Sequence, residues 1–445
     1  MGRRKRLWIL LLSVFLIASS QPARARGGED SAAYPKQLED CVRFALIHHP
    51  AIRQSLTDEE ITEREISSKL ADWYPQINFN FSILHSPQLP VTIVGGTAVP
   101  EGLDNTSNGQ FSVTQTIFNR DALFASNTAE DVRIRVRQRT ASQKIAVVVG
   151  VSKAYYAVLT TAKQVDLLSE DSVRLEQSLK DAYSQYHAGV VDKIDYQRAS
   201  IALNNAKAEK RQYEELLKTR LAFLKEEMGY PSDSTLSVEY DSTRLERDAS
   251  LDTAQTLSYE NRVEYQSLVT QKRLQEASVS YAEWGFLPSL TAFGNYDLNY
   301  QSVELRRLYG QSYPNSNVGL ELSFPIFLGG KRIQEIREAE LEVERADLDL
   351  VALRNSIDAE FAAAIASYKS NLNNYRVLKQ NLELARDVYK TIQLQYKAGT
   401  KSYLEVIIAE TDLRTAQANE ANAFYEVLSS KLDVERALGA IQPNE

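Results

Sequence analysis

A chain of 445 residues with 43% hydrophobic residues and a mean hydropathy of −0.35 is too polar for a polytopic helical membrane protein. A formal net charge of −8 argues against a nucleic-acid partner, and a single cysteine, Cys41, excludes an intrachain disulfide and a thiolate metal cage.

The N-terminus stands apart. Arg3, Arg4, Lys5 and Arg6 precede an apolar run over 7–18, and Ala23-Arg24-Ala25 offers small residues where a signal peptidase reads, so residues 1–25 are expected to be a cleaved export signal. Its removal takes away five basic side chains and leaves a net charge of about −13. Beyond it the longest purely apolar run, counting glycine, is 145–151, far too short to span a bilayer as a helix.

An amphipathic helical segment follows over about 34–73, broken by Pro50, because proline lacks an amide donor and fits a helix only in its first turn. After Pro75 the period changes from helix to strand. Ile77, Phe79, Phe81 and Ile83 alternate with Asn78, Asn80 and Ser82; a loop is expected over 85–109, where Pro87, Pro90, Pro100 and Gly95-Gly96 fall; then Phe111, Val113 and Ile117 interleave with polar residues. Two long helical runs come next. Residues 122–187 hold one glycine and no proline, and 190–228 hold neither. At about 1.5 Å per residue the first could extend roughly 100 Å.

The second half repeats this order. Ala282-Glu283-Trp284 and Pro288 stand where Ala71-Asp72-Trp73 and Pro75 stood, and Leu290, Ala292, Tyr296, Leu298 and Tyr300, then Val318, Leu320, Leu322 and Phe324, alternate with mainly polar positions. Residues 331–397 and 400–438 again lack glycine or proline through their helical parts, and all 12 prolines of the chain lie outside the four long runs. Tyr396-Lys397-Ala398-Gly399 leading to Glu405 copies Tyr186-His187-Ala188-Gly189 leading to Asp195 at an offset of 210 residues. Near these tips Leu378, Leu382, Ala385, Tyr389, Ile392 and Tyr396 are spaced four, three, four, three, four, as are Leu168, Ser172, Leu175, Leu179, Ala182 and Tyr186. The descending limbs, only about half as long as the ascending ones, are expected to be completed end to end by the pre-strand segments 34–73 and 252–284.

The chain thus divides into the signal, a first repeat over 26–235 with a β-hairpin at 76–118 and a tip at 186–195, and a second over 236–445 with a β-hairpin at 289–328 and a tip at 396–405. Strands of roughly ten residues with one apolar, aromatic-rich face have the length of tilted bilayer-spanning strands. Four strands cannot close a membrane barrel, and an open edge in lipid leaves unpaired backbone groups, so the barrel must be shared; two chains give eight strands, three give twelve. A soluble antiparallel sheet on a helical domain is the competing reading.

In the order of its parts and in both tip motifs the chain resembles the TolC-like outer-membrane factors of tripartite efflux pumps and type I secretion systems, over about 36–440. The resemblance implies a mainly α fold with β: long antiparallel coiled-coil hairpins in two repeats, each with a β-hairpin contributing to a shared trimeric 12-stranded outer-membrane β-barrel. It implies a homotrimer in the outer membrane of a Gram-negative cell, reaching across the periplasm, surrounded by lipid at the barrel. A periplasmic adaptor (membrane fusion protein) would dock at Gly189, Val190, Gly399 and Thr400, linking it to an inner-membrane transporter. The family's tip latch falls on Asp195, Tyr396 and Lys401, and its pore-narrowing acid on Glu405. Where members often carry a second acid three residues on, this chain has Ile408, which weakens cation block at the tip.

The same residues admit plainer roles. Tyr186 and Tyr396 occupy seam positions, Gly189 and Gly399 suit helix C-caps, and Lys401 with Glu405 has the spacing of a helix-surface ion pair. The scattered histidines, His48, His49, His85 and His187, make no metal-ligand pattern, no nucleotide-binding loop is present, and no cofactor or catalytic residue is assigned, so the chain reads as a passive channel rather than an enzyme. Efflux of small molecules and type I polypeptide secretion both fit this channel; a periplasmic coiled-coil adaptor or scaffold fits less well, because two hairpins and no inner-membrane anchor are present.

Overall fold

The computed structural model describes residues 37–442 apart from 240–244, 246, 248, 253 and 254; the expected export signal lies outside the described residues. The first half runs α1 (Leu38–His48), α2 (Pro50–Leu70), β1 (Gln76–His85), β2 (Val91–Val94), β3 (Thr97–Pro100), β4 (Asn105–Phe118), α3 (Arg120–His187) and α4 (Lys193–Met228). The second runs α5 (Val263–Glu283), β5 (Ser289–Ser302), β6 (Ser312–Ser323), α6 (Lys331–Lys397) and α7 (Tyr403–Ala437). Pro50 separates α1 from α2, with the His49 imidazole capping α2 by accepting from the Ala51 amide at 3.2 Å.

β1, β4, β5 and β6 form one antiparallel sheet in that order, so the two halves meet at β4–β5, and the outer edges of β1 and β6 have no strand partner among the described residues. The register sorts side chains cleanly. Phe79 faces Phe111 with ring centroids 4.6 Å apart, Phe111 stands opposite Tyr296, and Gly294 opposite Val318, so the apolar residues share one face. That face is bare: Ile77 is 73% and Val318 89% exposed. Two features depart from the sequence pattern. The stretch expected to be a loop contains the small hairpin β2–β3, and β4 begins at Asn105, because its first turns alternate small polar residues that hydrophobic periodicity does not register.

α3 and α6 are 68 and 67 residues long, each folding back at its tip onto α4 and α7 respectively. α3 contains the only described stretch apolar and long enough to cross a bilayer as a helix. Val147, Val151, Tyr155, Val158 and Leu159 of α3 instead belong to the main core, with Ile52, Leu224, Met228, Tyr368, Val427 and Val434. Tyr368 is fully buried, and its hydroxyl donates to the Ala249 carbonyl at 2.9 Å.

The short descending helices end against the pre-strand helices, as the missing length requires. Gly229, in the left-handed conformation after α4, packs on the His48–His49 backbone and the Pro50 ring; Gly439, after α7, packs on the carbonyl of Asn261 just ahead of α5. The second junction is locked by Arg262, 4% exposed, which donates to the Ala437 carbonyl at 3.0 Å and to Glu360 of α6 at 2.9 Å. A guanidinium thereby satisfies the Ala437 carbonyl at the end of α7, which no intrahelical amide can reach.

Candidate functional site at the helix tips

Both tips are built on the same backbone. Gly189 has φ +73° and Gly399 φ +74°. The amide of each glycine donates to the tyrosine three residues back, Gly189 to Tyr186 at 3.0 Å and Gly399 to Tyr396 at 2.9 Å, while Val190 and Thr400 each donate to a glutamine five back at 2.9 Å. This is a left-handed helix stop, a conformation that glycine adopts without the steric strain a Cβ would bring. α4 then starts under Asp192, whose carboxylate accepts from the Ile194 amide at 3.4 Å; α7 starts under Ser402, with Glu405 completing a capping box. The docking candidates Gly189, Val190, Gly399 and Thr400 all lie exposed at the extreme end of the molecule.

Of the latch candidates, Tyr396 lies close enough to Asp195 to feel its charge, whereas Lys401 pairs with Glu405. Tyr396 donates its hydroxyl to Gln185 Oε1 at 2.9 Å, joining the second hairpin to the first. Burial raises the Tyr396 hydroxyl pKa, and the negative charge of Asp195 raises it further. Lys401 Nζ lies 2.5 Å from Glu405 Oε1, and the other Glu405 oxygen accepts from the Ser402 amide at 2.9 Å. The Lys401 contact, followed by the Ser402 amide, holds the Glu405 carboxyl below the ordinary carboxylate range. Among the described residues Asp195 has no ion pair, and Lys401 reaches Glu405 rather than Asp195 within the chain. Gln185 carries no signal of its own in the sequence, although Gln395 occupies the same place in the second repeat.

About two turns into α7, and about four turns back from the end of α3, is a site that seam spacing partly encodes. Tyr403, Val406, Glu410 and Leu413 step three, four, three along α7, and all four are buried, so a carboxylate occupies a seam position. Glu410 is 4% exposed and Asp171 of α3 2% exposed. Both face one guanidinium: Arg174 Nη2 pairs with Asp171 Oδ1, and Arg174 Nε lies 3.9 Å from Glu410 Oε1, within ion-pair range but too far to hydrogen bond. Asp171 Oδ2 and Glu410 Oε1 are left without a hydrogen-bond partner. Burial pushes the Glu410 carboxyl up to about 7, with the Asp171 charge adding to the shift and Arg174 and Arg414 opposing it. The pair borders a cleft of about 300 Å³ between α4 and α7, whose walls include Arg198, Leu404 and Ile407. Among the described residues there is no group of three or more His, Cys, Asp or Glu side chains placed to hold a metal ion.

A coiled-coil hairpin pair ending in matching glycine stops, joined at its far end to a sheet with a bare apolar face, is the build of a protein with a part suited to lipid and a long part outside it. The family model for outer membrane efflux protein matches the chain twice, over residues 42–229 and 257–440. The chain belongs to this family of outer membrane efflux proteins. Among curated relatives, outer membrane protein TolC of Vibrio cholerae is 22% identical over 427 residues, covering 95% of this chain and 94% of its own. Alkaline protease secretion protein AprF of Pseudomonas aeruginosa is 21% identical over 432 residues, covering 96% and 87%. Among solved structures, the outer membrane protein VceC of Vibrio cholerae matches with a TM-score of 0.71 at 16% identity, over 90% of this chain and 96% of that one. The protein is an outer-membrane channel whose helices extend into the periplasm.

Proposed function

We propose that three copies of this chain, each with repeats over 26–235 and 236–445, close one twelve-stranded barrel and one helical tube, forming the passive outer-membrane conduit of a tripartite efflux pump that exports small molecules. The observation that carries this reading is the four-stranded sheet with a bare apolar face and two unpartnered edges, set on helices roughly 100 Å long. In lipid such edges must be paired, and only other copies of the same sheet extend it in register around a ring. The exposed tips would receive a periplasmic adaptor at Gly189, Val190, Gly399 and Thr400, and through it the inner-membrane transporter that supplies the energy. Polypeptide export of the type I kind is the second reading, supported by the likeness to a protease secretion protein.

The deciding measurement is the native mass of the particle extracted in mild detergent from outer membranes. Three chains per particle are expected; a monomer, or recovery in the soluble periplasmic fraction, removes the conduit reading.

At the tips, Asp195 and Lys401 would meet across neighbouring protomers while Tyr396 and Gln185 tie the two hairpins within one, and Glu405 would ring the constriction. Asp195→Ala is expected to raise single-channel conductance in a planar bilayer several-fold, because a charge-assisted contact closing the ring is lost. Conductance equal to wild type would show that these residues only pack.

A further inference from the structure

The sheet register yields a second charged zone that the tips do not explain. If the face carrying Ile77, Phe79, Phe111, Tyr296 and Val318 meets lipid, the opposite face lines the lumen, and it carries Asn78, Asn80, Gln110, Asn295, Asp297 and Asn317. Across the four strands of the sheet there are two acids, Asp297 and Glu321, and no lysine or arginine. His85, the one histidine on these strands, is bonded to Asn105 at 2.9 Å, at the outer end. We propose that Asp297 and Glu321 form two rings of lumenal carboxylates that make the barrel itself, and not only the periplasmic entrance, select cations over anions. The inference rests on the trimeric conduit described above.

The surroundings of Asp297 support it. The side chain is 7% exposed, and its Oδ1 accepts from Gln110 at 2.8 Å and from Asn108 at 3.4 Å. Both donors are neutral amides, so they fix and solvate the carboxylate without cancelling its charge. Asn108 also donates to Asn299 at 2.7 Å, which extends this amide network along the lumenal face. Glu321 is exposed and stands opposite Thr291, with no cation paired to it among the described residues. Asn315, the partner of Asp297 on β6, precedes Glu321 by six residues, so the two acids are separated by roughly 20 Å along the strand. Three-fold assembly therefore stacks two rings of three carboxylates in a wall of low dielectric, which focuses their field into the water-filled lumen.

The outer mouth does not reverse this bias. Arg307 there is paired with Glu304 at 3.1 Å, and Arg306 shares the loops with Glu101 and Asp104. A permeating anion thus meets no basic side chain along the barrel strands, whereas a cation passes six acids. Organic cations are the class of solute this lining favours.

The test is the reversal potential of purified protein in planar bilayers under a tenfold KCl gradient. Wild type is expected to prefer K⁺, and Glu405→Gln to keep much of that preference. Asp297→Asn with Glu321→Gln is expected to cut the K⁺/Cl⁻ permeability ratio at least twofold, most clearly at low salt, where screening is weak. Glu321→Lys alone, at an exposed position, is expected to shift the ratio further towards Cl⁻. Pores of normal conductance whose selectivity is unchanged by both variants would overturn the lumenal rings and leave the conduit standing. No pores from wild-type protein would overturn the conduit, and the rings with it.

Discussion

Gly439→Ala is expected to destabilise the assembled protein far more than Gly399→Ala, although both glycines sit in the same left-handed conformation, at φ +68° and +74°. Placing a side chain in that region costs roughly 1–2 kcal/mol at either position. Only at Gly439 does the new methyl meet something: its Cβ would lie 2.5 Å from the Asn261 carbonyl oxygen and 2.8 Å from the Asn261 carbonyl carbon, whereas nothing lies within 4 Å at Gly399. Backbone cannot swing aside as a flexible side chain can, so overpacking adds about 1–3 kcal/mol. Moving Asn261 also displaces its neighbour Arg262 from the Ala437 carbonyl and Glu360, which compounds the loss. Thermal unfolding of the two variants beside wild type checks this, and equal shifts would mean that the junction of α7 with α5 carries no special load.

Glu410→Gln is expected to stabilise the tip region at pH 8 and to have little effect near pH 4.5. The sign follows from linkage. A carboxyl whose folded-state pKa is raised from its ordinary value to about 7 binds its proton more tightly in the folded protein. Packing around it is therefore tightest at low pH, weakens as pH rises between the ordinary carboxylate range and about 7, and is constant above that. Across this window the ionised form costs on the order of 3 kcal/mol per chain. Glutamine keeps the shape, never ionises, and brings an amide donor for the unpartnered oxygen of Asp171. Amide hydrogen exchange over 168–182 and 403–416, corrected for the intrinsic pH dependence, should show wild-type protection falling from about pH 5 to about pH 7 and level above it, while the variant stays flat. Parallel profiles would remove Glu410 as the titrating group.

Much of this architecture is legible in the sequence because it is periodic. Gly189 and Gly399 mark the tips, Pro231 and Pro325 fall within six residues of the end of α4 and the start of α6, and the seam positions Leu382, Tyr389, Leu168 and Leu175 are indeed buried. α5 is shorter than the sequence suggests, starting at Val263 after a turn at Tyr259–Asn261, since amphipathic spacing alone does not say where a helix nucleates. What the sequence hides are pairings between remote segments. Asp171 with Arg174 reads as an ordinary i,i+3 surface pair, and only the fold shows that Glu410, on another helix, turns it into a buried cluster. Tyr396 was legible as a tip residue through its repeat, whereas its partner Gln185 is fixed by how the two hairpins lean together. The small hairpin β2–β3 was hidden by the prolines and glycines around it, which mark turns without saying whether the residues between them pair.

The bare edges of β1 and β6 bear on how the protein is made. A newly exported chain carries an oily sheet face and two open rows of amides and carbonyls through an aqueous compartment, the surface most prone to adhere to a wrong neighbour. Entering the bilayer alone would bury those rows unpaired, and joining its fellows in water would leave the oily face wet. Neither step is downhill by itself. Where copies share one barrel, oligomerisation and insertion are expected to finish together, with a rate that climbs steeply with the supply of new chains.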